Sequence, residues 1–180
     1  MFLKVGKKIF VTFCFYSDLS DQDKLLFEST LEAREKAQAP HSHYKVGAAV
    51  AVYDKGATRI YSGYNVEHST YTQTTYAEQN AIDTMIATHG TKKINKVCVV
   101  GAMDSKHISF YDGNKIEPIP WIEQARMPCG HGLQIIWENC FRDSNVELLS
   151  ITEDGLVAIT TISDALPMRF SPQDLGIKYK

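Results

Sequence analysis

Apolar and polar positions change their rhythm along the chain, and the changes divide it into strands and helices. Ile9, Val11, Phe13 and Phe15 alternate with other residues, the period-two signature of a strand. Asp21 then stands where a helix cap is wanted, and Leu25, Leu26, Leu31 and Ala33 predict a helix over 22–37 that Pro40 ends. Val46 to Tyr53 and Arg59 to Tyr64 predict two strands joined at Lys55-Gly56 as a hairpin. Ala77, Ala81, Ile82, Met85 and Ile86 return to helical spacing over 75–88, with Gly90 as the stop.

The continuous apolar run from Ile94 to Gly101 predicts a strand covered on both faces. Residues 103–127 hold no period, with a turn at Asp112-Gly113 and breaks at Pro118 and Pro120. Leu133, Ile136, Trp137 and Cys140 predict a third helix over 130–140, and strands follow over 146–151 and 156–161. The order of these elements predicts one layered α/β domain over 1–180 with a mixed sheet, the strand in residues 1–20 being an extension and 103–127 an insertion.

Composition narrows the function classes. A chain of 180 residues, 44% hydrophobic and 22% charged, suits one ordinary globular core. The N-terminal lysines ahead of Ile9 to Tyr16 are faintly like a signal peptide, but the stretch is short and no small-residue cleavage site follows. No apolar run approaches the roughly 20 residues that span a bilayer, so no membrane partner is expected. A formal net charge of -2 argues against gripping a nucleic-acid polymer and suits a small nucleoside-like ligand. Cys14, Cys98, Cys129 and Cys140 lie at irregular spacings with no disulfide framework, and a reducing cytoplasm is the expected location.

Two helix starts carry candidate chemistry. Tyr76-Ala77-Glu78 follows Thr74 and Thr75, and Thr75 with Glu78 has the spacing of a capping box. Pro128-Cys129-Gly130-His131-Gly132 opens the third helix, where the proline is also an ordinary helix starter. A helix N-terminus favours a thiolate, which makes Cys129 a candidate metal ligand or nucleophile. Zinc nucleobase deaminases place a ligand, any residue and Glu at one helix start, and Pro-Cys-x-x-Cys at another. Glu78 and Cys129 match that pattern, while Tyr76 and Gly132 stand where two ligands would be.

Further stretches resemble the cytidine deaminase family. Pro40 to Ala49 resembles the approach to its first strand, Gly63-Tyr64-Asn65-Val66-Glu67 its nucleoside-binding turn, and Ala77 to Ile82 its catalytic helix. Pro128 to Gln134 is similar to its second metal-bearing helix, and Ala165 to Pro172 to its C-terminal segment. The resemblance covers most of 23–176 in the family's order. It implies a three-layer fold with a mixed sheet of about five strands, helices on both faces and an extra N-terminal strand. It implies that Asn65 and Glu67 hold ribose hydroxyls, that Tyr76 and Ala77 line the substrate pocket, and that Phe170 helps to close it. Glu78 would shuttle protons, Cys129 would be the one retained metal ligand, and the chain would form a homodimer or homotetramer.

The departures bear on the cofactor. A catalytic zinc is held by three protein ligands, a phenol is a poor ligand, and glycine has no ligating side chain. No cofactor is therefore expected, and zinc enters only through a non-standard ligand set that recruits His131 or His68. His131 adjoins the vacant position, but neighbouring helix residues point about 100° apart. Tyr76 is expected to fill space near the metal position and to hydrogen-bond Glu78. Ser62, where some members carry an aromatic residue, loosens the packing expected for a pyrimidine ring. Phe110, Tyr111 and Trp121 make the insertion either a surface excursion or a lid or oligomer contact. Three readings stay open: a zinc-free nucleoside binder without deaminase activity, an active hydrolase with a rebuilt zinc site or with Glu78 and Cys129 alone, and a non-catalytic assembly subunit.

Overall fold

A computed structural model describes residues 4, 6–111, 113, 116, 121–171 and 174. Strands β1 (Thr12–Cys14), β2 (Tyr44–Asp54), β3 (Ala57–Tyr64), β4 (Lys96–Met103), β5 (Glu147–Ile151) and β6 (Val157–Thr161) form one sheet in the order β1-β6-β5-β4-β2-β3. The β4–β5 pair is parallel and every other pair is antiparallel, so the sheet is mixed as expected. The extra N-terminal strand exists and adds to the β6 edge, but it is shorter than the alternation suggested, and Ile9 and Phe10 are exposed.

Helices α1 (Asp21–Glu35), α2 (Ala77–His89), α3 (Gly130–Asn139) and the short α4 (Ile162–Ala165) cover both faces. Strand alternation sorts the side chains. Ala48, Val50, Val52, Val97, Val99 and Leu148 pack against α2, α3 and α4, while Ala49, Ala51, Cys98, Val100 and Leu149 pack against Leu26 and Phe27 of α1. At the β2–β3 hairpin, Lys55 and Gly56 both take positive φ, 52° and 84°, between the paired residues Asp54 and Ala57. Two such residues in a two-residue loop form the turn whose twist matches the flanking strands, and glycine occupies its second position without a steric cost.

Three local expectations change. Ser20, not Asp21, caps α1: its hydroxyl accepts from the backbone of Asp23 at 3.2 Å. Leu25 faces solvent, and Thr30 and Arg34 are buried instead. The insertion is not a lid at Phe110 or Tyr111. Phe110 stacks on Tyr16 with ring centroids 3.9 Å apart and meets the edge of Phe27, and Tyr111 stacks on Phe15. The insertion and the N-terminal extension thus complete the apolar layer on the α1 face. Trp121 is 76% exposed. Asp112, Pro118 and Pro120 lie outside the described residues.

Candidate functional site

A cavity of about 420 Å³ opens where β2 begins and β4 ends, and the first residues of α2 and the segment leading into α3 close its inner end. It is lined by Asn65, Glu67, Tyr76, Ala77, Glu78 and Cys129 from the sequence-derived set, together with Ser42, Tyr44, Thr74, Arg126, Met127 and Pro128. Phe170 is not in that lining: it is half exposed, and its carbonyl accepts from Gln134 of α3 at 3.0 Å. The segment before it is fastened by Arg169, whose guanidinium lies 3.9 Å from the centroid of the Trp137 ring. Pro172 falls outside the described residues.

The start of α2 differs from the capping box that its sequence suggests. Thr75 is held in a backbone bridge with Val66, so Tyr76 becomes the N-cap and makes no side-chain cap bond. Glu78 is thereby released from capping and turns inward, where it is only 4% exposed. Its carboxyl lies against Gly132: a Cβ placed on that glycine would be 2.6 Å from Glu78 Oε1. The space that a side chain at 132 would need is already taken by the glutamate.

Among the described residues, no other side chain hydrogen-bonds Glu78. Burial pushes its carboxyl above the ordinary range, and a bond from its own backbone N–H draws it only part of the way back. A carboxyl whose pKa is higher in the folded chain holds its proton better there. Stability therefore falls as pH rises from the unfolded value through the folded one. We expect Glu78→Gln to match the parent near pH 4, roughly the unfolded value, and to melt a few degrees higher at pH 7. Thermal melts across that range check it, and equal melting at pH 7 would contradict a buried, unpaired carboxyl.

The other residues divide the cavity into a rim and a floor. Glu67 accepts from the backbone of His41 and Ser42, each at 3.0 Å, and from the Ser42 hydroxyl. Desolvation would raise its pKa, but these bonds and the nearby His41 outweigh it and hold the carboxyl below the usual range. Asn65 accepts from Val46 N at 2.8 Å and donates to Tyr44 O at 3.0 Å, so its amide braces the start of β2 and leaves one N–H for a ligand. Thr74 Oγ1 is buried at the cavity wall with no hydrogen-bond partner.

The expected bond from Tyr76 to Glu78 does not form. The Tyr76 ring lies against His131 with centroids 4.6 Å apart. Cys129 caps α3 and is exposed. His131, His68 and Ser62 are exposed and absent from the cavity lining. Among the described residues, no three His, Cys, Asp or Glu side chains gather as a metal site would require. Sequence reasoning missed Ser42, Tyr44, Thr74 and Arg126. Ser42 and Tyr44 at least sit in a quoted motif, whereas Arg126 lies in an aperiodic stretch with no local signal.

Residues 20–146 match the family described as "Cytidine and deoxycytidylate deaminase zinc-binding region". The chain is 32% identical to a cytidine deaminase of Sporosarcina psychrophila, over 87% of this chain and 96% of that protein. It is 29% identical to one from Halalkalibacterium halodurans, over 85% and 97%. The crystal structure of cytidine deaminase from Burkholderia pseudomallei superposes with a TM-score of 0.58 at 28% identity, covering 84% of this chain and all of that one. No helix among the described residues is long and apolar enough to cross a membrane.

Proposed function

The chain belongs to the cytidine and deoxycytidylate deaminase family, and from that membership we propose that it binds a pyrimidine nucleoside without the family's zinc chemistry. The observation that carries this reading is the contact between Glu78 and Gly132. The donor set does not fit the metal. One thiol remains, the phenol of Tyr76 is turned against His131, and the third ligand position is a glycine whose side-chain space the glutamate occupies.

What remains is a binding site. Burial favours the neutral acid of Glu78, which offers one O–H donor and one acceptor side by side. A cytosine-type edge, with a ring-nitrogen acceptor beside an amino donor, is complementary to that pair. Glu67 and the free N–H of Asn65 sit at the rim, where ribose hydroxyls would meet them. A second reading, a metal-free hydrolase, draws on Cys129 lining the same cavity as Glu78.

Purified without added metal, the chain is expected to hold far less than stoichiometric zinc, to bind cytidine in a calorimetric titration, and to release no uridine. Near-stoichiometric zinc accompanied by turnover would overturn the proposal. Turnover in the presence of chelator would transfer support to the metal-free enzyme.

A further inference from the structure

We propose that Thr74 reads the 2′-hydroxyl of the bound nucleoside, so that the site selects ribonucleosides over their 2′-deoxy counterparts. This rests on the nucleoside-binding reading and adds the class of sugar. Most polar side chains of the cavity wall are already engaged within the protein. Ser42 donates to Glu67 and accepts from the backbone of Tyr44, and Asn65 is bonded at both ends of its amide. Arg126 Nη2 donates to Glu153 Oε2 at 2.8 Å, and Lys106 Nζ donates to the other oxygen of that carboxylate. Among the described residues three buried side-chain polar atoms have no partner: Arg34 Nε, Thr74 Oγ1 and Ser171 Oγ. Of these, only Thr74 belongs to the cavity wall.

The backbone fixes where that hydroxyl stands. Val66 and Thr75 form an antiparallel bridge, each N–H donating to the other's carbonyl at 3.0 Å. Side chains alternate along such a ribbon, so the residues on either side of the bridged pair share one face. Those four residues, Asn65, Glu67, Thr74 and Tyr76, all line the cavity, whereas Val66 and Thr75 do not. The antiparallel register sets Thr74 across from Glu67.

Depth then assigns the sugar hydroxyls. Glu78 at the inner end is 4% exposed and Thr74 Oγ1 is buried, while Glu67 at the rim is only partly buried. With the base edge on Glu78, the ribose runs toward the rim. Its 2′-hydroxyl, one carbon from the glycosidic carbon, lies deeper than its 3′-hydroxyl. Thr74 therefore meets the 2′-hydroxyl, and Glu67 with the free N–H of Asn65 meets the 3′-hydroxyl. A buried hydroxyl without a partner is destabilising, and ribose supplies the partner. A 2′-deoxy sugar puts a C–H there instead. A site built to bond a hydroxyl rejects the analogue lacking it for this reason.

The test is calorimetric titration of the full chain with cytidine and with 2′-deoxycytidine. Cytidine is expected to bind about tenfold more tightly, the worth of one hydrogen bond made to a buried group. Thr74→Val keeps the shape of the side chain and removes its hydroxyl. It should bring the two affinities within about twofold of each other, by weakening cytidine and not 2′-deoxycytidine. Thr74→Ser should keep the preference. The ligand-free Thr74→Val chain should melt no lower than the parent, because what it loses is an unpaired buried hydroxyl. If the parent binds both nucleosides equally, the assignment of Thr74 is wrong and the nucleoside reading stands. If it binds neither, both fall. A ribose preference that survives in folded Thr74→Val also overturns the assignment.

Discussion

A double variant, Tyr76→Cys with Gly132→Cys, is expected to purify with stoichiometric zinc where the parent purifies with little. The backbone already brings the starts of α2 and α3 together, since the Glu78 side chain spans from one helix to the Cβ position of the other. Cys129 caps α3 beside the same cavity. Two further thiols would complete a three-ligand set with an open position, the arrangement of a catalytic zinc site. The steric cost at 132 is small. The atoms in the way are the far end of the Glu78 side chain, which can swing into the cavity, and the nearest other atom is the Pro128 side chain at 3.3 Å. Each single variant supplies only two thiols and is expected to retain much less metal. Metal analysis by mass spectrometry, together with a melt that rises with added zinc, checks this by linkage. A folded double variant that stays empty would show that the two helix starts are not set as a zinc site requires.

Gly63→Ala is expected to cost about 3 kcal/mol, at the upper end of overpacking effects. At roughly 2–4 °C per kcal/mol for a chain of this size, the melt should fall by about 6–12 °C. Gly63 sits on β3 directly beneath α2. An added Cβ would lie 2.2 Å from Ala81 N, 2.7 Å from Ala77 O and 2.7 Å from Asn80 C, all backbone atoms of the helix. No rotamer change relieves such a contact, so α2 must move as a body. That movement lifts Ala81, Ile82 and Met85 out of the core and shifts Ala77 and Glu78 in the cavity. Cytidine binding should therefore weaken along with the melt. Gly130→Ala is the control: nothing lies within 4 Å of its added Cβ, and its melt should be unchanged. Equal melting of Gly63→Ala and the parent would mean that β3 and α2 are not in backbone contact.

The elements that were legible in the sequence are those whose burial repeats with a fixed period. The apolar runs in β2 and β4 are buried on both faces, and the helical spacing of Leu133, Ile136 and Trp137 became the buried side of α3. Periodicity was silent for the 103–127 insertion. Phe110 is partly buried there against Tyr16 and Phe27, which come from distant parts of the chain, so no local pattern announces it. At the start of α2 the local signal misled. The Thr75–Glu78 spacing suits a capping box, but the bridge from Thr75 to Val66 moves the cap onward and leaves the carboxyl for the interior.

The candidate site divides along the same line. Residue identities alone carried the family resemblance and the expectation that Tyr76 and Gly132 stand at ligand positions beside Glu78 and Cys129, because ligation is a property of the side chain itself. Only the tertiary structure decided what surrounds those positions. The Glu78 carboxyl against Gly132, the Tyr76 ring on His131, and Lys106 with Arg126 around Glu153 are contacts between segments far apart in sequence. Side-chain chemistry can be read one residue at a time, whereas the distance between two helix starts exists only once the sheet beneath them has formed.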